Sequence, residues 1–178
     1  MPAHVLRFWF DELSPAQWWR VDPELDRLIR DRFGETHRAA QAGELDAWRD
    51  QPEGRLAEII VLDQFSRNIH RGTPRAFACD AMALALAQEA VRAGADRAFA
   101  PAQRAFVYMP YMHSESARVH VQAERLFREM TSPQSLEAEL QHKAIIDSFG
   151  RYPHRNQILG RVSTDEELAF LEQPGSSF

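Results

Sequence analysis

The sequence contains almost no lysine and almost no cysteine. Of its 178 residues, 21 are basic, yet Lys143 is the single lysine and the other 20 basic residues are arginines. Cys79 is the single cysteine, so no disulfide can form within the chain and no pair of thiols is present for metal or redox chemistry. We therefore expect Cys79 to be a small buried side chain in a protein of a reducing compartment.

Features of membrane proteins and of nucleic-acid-binding proteins are also absent. The formal net charge is −5, whereas binding to nucleic acid depends on many basic side chains that contact phosphates. The apolar stretch at residues 81–87 is too short for a membrane-spanning helix, which needs about 18 apolar residues. The N-terminus does not have the pattern of a secretory signal. We predict a cytoplasmic protein that binds neither nucleic acid nor membranes.

Signals for the start and end of helices are frequent, and alternating runs of β-branched residues are not found. Asp22 followed by Pro23 predicts a helix N-terminus, and Gly43 predicts the end of that helix. Similar signals predict helices over residues 53–62, 73–94, 101–109, 114–130, 133–150 and 164–171. The sequence therefore predicts an all-α protein, built as a right-handed array of antiparallel helices.

The chain has the length of one domain and contains no low-complexity linker. We predict a single helical domain over residues 1–172. Residues 173–178 follow the last predicted helix and include Pro174 and Gly175, so we expect a flexible C-terminal tail there.

Two segments share the pattern Asp-x-Phe-x-Arg. The first runs from Asp63 to Arg67 and the second from Asp147 to Arg151, each at the end of an apolar helical stretch. Basic residues outnumber acidic ones in the wider regions 63–75 and 141–161, although the whole chain is acidic. Loops that follow buried helices often display binding groups on a rigid frame. The two segments can therefore form one polar pocket if they face each other.

Arginines from both segments favour an anion as the ligand of such a pocket. Guanidinium groups offer paired donors in one plane, which suits a phosphate or a carboxylate group. The predicted ligand-binding residues are Asp63, Arg67, Asn68, Arg71, Tyr108, Arg151, Arg155 and Asn156. The alternative is a structural brace in which Asp63 pairs with Arg67 and Asp147 pairs with Arg151, because partly buried charges need partners.

Three further residues are candidates for acid–base catalysis. A neutral imidazole exchanges a proton near neutral pH, so His113 and His154 are the candidate acid–base groups. Either Glu115 or Asp63 is expected to orient the imidazole. Ser114 is interpreted as a helix N-cap rather than a nucleophile, because no Gly-x-Ser-x-Gly motif surrounds it. The histidine spacing matches no metal-binding motif, and we predict neither a metal site nor a cofactor.

Longer motifs resemble a known family. They are Leu62-Asp63-Gln64-Phe65-Ser66-Arg67-Asn68, Arg104-x-Phe106-x-Tyr108-Met109-Pro110 and Phe149-Gly150-Arg151-Tyr152-Pro153-His154-Arg155-Asn156. Over nearly its whole length, the chain resembles the mainly bacterial domain-of-unknown-function family 924. This resemblance implies an all-helical, tetratricopeptide-like fold and supplies no activity and no catalytic residues. A proline commonly stands in the family where this chain has Ser66, and we expect that departure to loosen the turn.

The sequence leaves three functions open. The first is the binding of a small anionic metabolite or a peptide carboxylate in a pocket built from residues 63–71, 108–115 and 151–156. The second is a histidine-dependent hydrolase or lyase that uses the same pocket. The third is a helical interaction scaffold whose arginine and histidine side chains only tie loops together. Homo-oligomer formation is also left open.

Overall fold

The computed structural model describes residues 1–130 and 132–177, and most of this range is helical. The α-helices are α1 (Pro2–Arg7), α2 (Pro23–Gln41), α3 (Pro52–Ile60), α4 (Ser66–Ile69), α5 (Asp80–Arg92), α6 (Pro101–Met112), α7 (Ala117–Glu129), α8 (Pro133–Phe149) and α9 (Asp165–Leu171). None of these helices is long and apolar enough to cross a bilayer. No β-strand occurs in the described residues, so the predicted all-α class is confirmed. The tetratricopeptide-like arrangement stays a prediction.

Local signals explain where several helices begin and end. The Asp22 side chain accepts hydrogen bonds from two backbone N–H groups in the first turn of α2, at 3.0 and 3.2 Å. Gly150 ends α8 with a φ angle of +68°, which a residue without Cβ adopts freely. Thr164 and Glu167 cap α9 reciprocally, as the sequence predicts. These ends are determined by neighbours within a few residues.

Helices α3 and α6 lie at the centre of the packing. The first contacts α1, α5 and α6, and the second contacts α5, α7 and α8. Large aromatic side chains fill the interior beside them, among them Phe8, Trp9, Phe33, Phe65 and Phe106. Each such buried side chain contributes roughly 1.5–3 kcal/mol, so the central helices form a firm frame for the segments between them.

Helix α6 does not end before Pro110, and the boundary predicted there is wrong. The helix continues to Met112, and every residue from 105 to 112 is buried. A proline inside a helix removes one backbone hydrogen bond. Burial of the residues on both sides of Pro110 offsets this loss. The extra turn places His113 directly at the end of α6.

Two other predicted helix starts are also wrong. Helix α7 begins at Ala117, with Ser116 before it, and Ser114 lies in the preceding turn instead of capping the helix. The segment after Thr73 first forms the 3₁₀ turn Pro74–Phe77, and α5 begins only at Asp80. The proline-led turn uses i→i+3 bonds and ends before the α-helical pattern starts.

A π-helical turn joins α3 to α4. It spans Val61–Phe65, and all of its residues are buried. Such a turn holds one residue more than an α-helical turn, which rotates the following side chains around the helix axis, and turns of this kind are frequent at functional sites. Asp63 lies in this turn and is 1 % exposed.

The C-terminal segment folds back on α9. Ser176 is 6 % exposed, and its hydroxyl donates a hydrogen bond to the carbonyl of Leu171 at 3.1 Å. Phe178, the last residue of the predicted tail, lies outside the described residues. The flexibility expected for residues 173–178 stays a prediction.

Candidate functional site

A cleft of about 430 Å³ opens between the start of α5, the end of α6 and the loop after α8. Most of its wall is apolar and consists of prolines, alanines, leucines and one phenylalanine. The polar lining residues are Asp80, His113, Ser114, Glu115 and Arg155. Ligand sites commonly combine an apolar wall with a few convergent polar groups, and this cleft has that composition.

One histidine of the cleft is oriented by a buried carboxylate. His113 Nδ1 lies 2.7 Å from Asp63 Oδ1, and the side chains are 14 % and 1 % exposed. The same carboxylate accepts a hydrogen bond from Gln64 Nε2 at 2.6 Å and lies 3.3 Å from Arg67 Nη1. The other ring nitrogen, Nε2 of His113, has no hydrogen-bond partner in the described part of the chain.

Burial and neighbouring charges set the protonation of this pair. Burial by itself raises the pKa of Asp63, but His113 and Arg67 outweigh it and hold that pKa well below its usual range. Burial lowers the pKa of His113, and Arg67 lowers it further, against the opposing effect of Asp63. At neutral pH Asp63 is therefore ionised and His113 is neutral. Since Nδ1 donates to the carboxylate, the lone pair of Nε2 can accept a proton.

Asp80 joins two arginines next to this pair. Arg67 donates to Asp80 from both terminal nitrogens, at 2.9 and 3.1 Å, and Arg155 Nη1 donates to Asp80 at 3.3 Å. The Arg155 guanidinium lies over the rings of Phe77 and Tyr152, at 4.6 Å from each centroid. Arg155 is 5 % exposed, and its Nε atom has no acceptor in the described residues. One donor of a buried arginine is thus unused.

Three predicted ligand-binding residues donate hydrogen bonds to carboxylates outside the cleft. Asn68 donates to Asp26 at 2.8 Å, and Arg71 donates to the same carboxylate at 2.5 and 2.8 Å. Tyr108 donates to Asp96 at 2.6 Å. None of the three lines the cleft. Their donors bind elements that are distant in sequence and act as braces between helices.

The second Asp-x-Phe-x-Arg segment does not form the predicted pair. Asp147 lies 2.5 Å from Lys143, one helical turn away, whereas Arg151 donates to Glu167 at 2.6 and 2.7 Å. Asn156 donates to the same Glu167 carboxylate at 3.1 Å. The predicted pairing of Asp147 with Arg151 is wrong, because Arg151 pairs with Glu167 of α9 and Asp147 pairs with Lys143. In the first segment, the predicted contact between the aspartate and the arginine does form.

Glu115 lines the cleft, but it does not orient a histidine. Its carboxylate accepts hydrogen bonds from Arg161 at 2.6 and 2.8 Å and from the backbone N–H of Tyr152 at 2.8 Å. Burial opposes its ionisation, but Arg161 and the Tyr152 N–H lower the pKa of Glu115 overall. His154 lies with its ring 5.6 Å from that of Tyr152, and burial lowers its pKa to about 4. Of the two candidate histidines, His113 is the one in contact with Asp63.

The described residues contain no group of three or more His, Cys, Asp or Glu side chains placed to hold a metal ion. The polar groups of the cleft are instead paired carboxylates and guanidinium groups around one imidazole. Such a set can bind a polar ligand and exchange a proton with it.

Comparison with known proteins identifies the family. The family model described as a bacterial protein of unknown function, DUF924, matches residues 5–175. The chain belongs to the DUF924 family. It is also similar to the solved structure of a protein of unknown function, ATU0120, from Agrobacterium tumefaciens, with a TM-score of 0.92, 38 % sequence identity and coverage of 96 % of both chains. No curated protein matches the chain. The family resemblance seen in the sequence is confirmed.

In this DUF924 chain, the structure adds two residues to the site that sequence reasoning missed. Asp80 looks in the sequence like an ordinary acidic residue in the first turn of an alanine-rich helix. Tyr152 stands inside the motif Arg151-Tyr152-Pro153-His154-Arg155-Asn156, and that position was a usable signal. The prediction named its neighbours Arg151, Arg155 and Asn156, whereas Tyr152 is the fully buried member of the motif, at 0 % exposure.

Proposed function

We propose that the cleft binds a small molecule and that His113 acts on it as a general base, in a hydrolase or a lyase. The observation that carries the proposal is the contact of 2.7 Å between His113 Nδ1 and the buried Asp63 carboxylate at the wall of the cleft. A carboxylate that holds one ring nitrogen leaves the other free to take a proton from water or from the substrate. Burial of Asp63 at 1 % exposure keeps this orientation rigid.

The proposed ligand carries an anionic group that binds at Arg155. Arg155 is the cationic side chain among the residues that line the cleft. Its bond to Asp80 is 3.3 Å long, longer than either bond of Arg67 to that carboxylate, so this is the contact for which a ligand anion would compete. The apolar wall then takes the body of the ligand. A small carboxylate or phosphate ester with an apolar portion fits this description.

Charge balance couples the proposed ligand to His113. The negative charges of Asp63 and Asp80 are matched by Arg67 and Arg155, so the group is neutral while His113 is neutral. A bound anion adds one negative charge beside His113 and favours its protonated form, which raises its pKa. Binding of the anion is therefore expected to weaken as pH rises, because the complex holds more protons than the free protein.

The test is a screen of carboxylate-bearing esters, amides and elimination substrates with the purified chain. Against an active substrate, His113→Gln should lower kcat/KM by about 10²–10⁴-fold, the usual contribution of a general base. His4→Gln, a change of an exposed histidine, should leave it unchanged. In the wild type, kcat/KM should rise with pH through a pKa below 6.5 and then level off, because the base must be deprotonated.

Two results would contradict the proposal. One is full activity in His113→Gln together with an unchanged pH profile. The other is a screen in which no substrate is converted and no carboxylate or phosphate ester raises the melting temperature. The second result would favour the interaction scaffold. Cytoplasmic location stays a prediction, and homo-oligomer formation stays open.

A further inference from the structure

Three consecutive backbone carbonyls around His113 are each held by a buried side chain. They belong to residues 112–114, at the end of α6. The Tyr152 hydroxyl donates to the first carbonyl at 2.5 Å, Arg155 Nη2 donates to the second at 3.1 Å, and His120 Nε2 lies 2.9 Å from the third. The last carbonyls of a helix have no partner within the helix. Here partners from other elements hold the backbone that carries His113.

Tyr152 contacts this segment at a second point. Its backbone N–H donates to the Glu115 carboxylate at 2.8 Å, and its carbonyl accepts a hydrogen bond from Arg161 at 3.1 Å. Its ring lies against the Arg155 guanidinium. Tyr152 is fully buried, at 0 % exposure. One side chain and its backbone therefore tie the residues on both sides of His113 to the loop after α8.

A buried pair from α7 and α8 defines the direction of these bonds. His120 Nδ1 lies 2.8 Å from Glu139 Oε1, and both side chains are 0 % exposed. Since the carbonyl of Ser114 can only accept, His120 Nε2 carries a proton and donates it. The Tyr152 hydroxyl lies 3.2 Å from the same Nε2 and uses its own proton for the carbonyl of residue 112. The donors of the bonds to the carbonyls of residues 112 and 114 are thus assigned.

We propose that Tyr152 is a positioning residue for His113. Its hydroxyl holds the end of α6, so that the imidazole stays on Asp63 and at the wall of the cleft. This inference rests on the proposed function for the chemistry of His113, but the positioning itself is measurable without a substrate. Without the hydroxyl, the carbonyl of residue 112 is a buried acceptor with no donor, and the segment shifts to find one.

The test compares Tyr152→Phe with Tyr108→Phe. Both variants remove one buried hydroxyl that donates to an oxygen, at 2.5 Å in the first case and 2.6 Å in the second. Tyr108 donates to Asp96, outside the cleft, so it controls for the loss of a buried hydrogen bond. The side-chain ¹⁵N and ¹H NMR signals of His113, assigned with His113→Gln, report its tautomer and its pKa.

In Tyr152→Phe we expect His113 to lose its single Nδ1–H tautomer and its pKa to move toward the ordinary value. In Tyr108→Phe the His113 signals should match the wild type. With a substrate from the screen, Tyr152→Phe should lower kcat by roughly 10- to 100-fold with little change in KM, since misplacement of a catalytic group by about 1 Å has that effect. Wild-type His113 signals in a folded Tyr152→Phe variant would overturn the inference.

If Tyr152→Phe does not fold, Arg155→Lys serves as a second test variant. Lysine retains the charge beside Asp80 but has no planar fork to reach the carbonyl of His113 as well. Arg155 holds the carbonyl of His113 and lies against the Tyr152 ring, so the same change of the His113 signals is expected. Unchanged signals would show that the loop after α8 does not position His113 and would overturn the inference. Altered His113 signals in a chain without turnover would support the positioning and contradict the proposed function. Turnover in the wild type with normal kcat in Tyr152→Phe would support the proposed function and contradict the positioning.

Discussion

Asp63 and Asp147 begin the same Asp-x-Phe-x-Arg pattern, yet they lie in opposite environments. Asp63 is 1 % exposed and holds His113 at 2.7 Å. The Asp147 side chain is 48 % exposed and contacts Lys143, one helical turn away, at 2.5 Å. The first aspartate lies in a π turn between central helices, and the second lies near the end of α8. The two segments therefore offer similar chemical groups, and the surrounding packing determines what those groups bind.

The arginines of the two segments differ in the same way. Arg67 binds Asp80, which lines the cleft, whereas Arg151 binds Glu167 of α9. Both pairs are bidentate, so the difference is not in the number of hydrogen bonds. It lies in the location, because the first arginine contacts the group that orients His113 and the second fastens the C-terminal helix. The first segment is tied to the candidate site, and the second is a brace.

Asp63→Asn is expected to have the largest effect on stability. It removes the buried negative charge that pairs with Arg67, and breaking a buried ion pair costs roughly 3–5 kcal/mol. Asp147→Asn changes an exposed pair and should cost less than about 1 kcal/mol. Urea unfolding followed by circular dichroism measures both changes. Similar losses in the two variants would show that the two segments have equivalent roles.

Acid is expected to lower the stability of the protein by protonating a histidine that contacts the first segment. His37 Nε2 lies 2.8 Å from the hydroxyl of Ser66 in that segment, and burial, together with His70 and Arg75, lowers the pKa of His37 to about 4. The unfolded chain binds a proton at an ordinary histidine pKa, so stability is complete above that pH and is lost as the pH falls. From pH 7 to pH 4 the loss is on the order of 3 kcal/mol for this one histidine.

Urea unfolding at several pH values checks this expectation. His37→Gln keeps a side chain that can hydrogen-bond to Ser66 and removes the titrating ring. The free energy of unfolding of this variant should therefore fall less steeply as the pH is lowered (a flatter acid limb of the profile). His4→Gln alters an exposed histidine and should leave the profile unchanged. An identical acid limb in wild type and His37→Gln would contradict the assignment.

A smaller loss of stability than those of Asp63→Asn and of acid is expected from a change at Gly150 in the second segment. Gly150 stands where the first segment has Ser66, and its φ angle of +68° is one that other residues adopt at a cost of roughly 1–2 kcal/mol. No heavy atom lies within 4 Å of a Cβ built there, so Gly150→Ala carries no steric cost from its neighbours. The melting temperature should fall by roughly 2–8 °C, since 1 kcal/mol corresponds to about 2–4 °C at this chain length. An unchanged melting temperature would contradict this account.

Much of the fold was predictable because its signals are local. Asp22, Gly150 and Thr164 mark helix ends through contacts within a few residues, and the helix ends predicted there are confirmed. The continuation of α6 through Pro110 was not predictable, because burial by other helices decides it. The π turn around Asp63 left no sign in the residue types.

The candidate site was predictable only in part. Sequence reasoning named Asp63, Arg67, His113 and Arg155, which the structure brings together. It also named Asn68, Arg71, Arg151 and Asn156, which the structure places on other carboxylates. An arginine has five donors and a long flexible stem, so its partner is whichever carboxylate the fold brings within reach.

Residue types and their spacing were sufficient for the all-α class, the family and the supply of arginine, histidine and carboxylate groups, because helix formation and capping depend on nearby residues. The assignment of each charge to a partner required the packed helices. Asp26 lies 45 positions from Arg71, and Asp63 lies 50 positions from His113. Contacts over such separations form only when the core has brought the helices together, since burial of apolar surface supplies most of the free energy of folding.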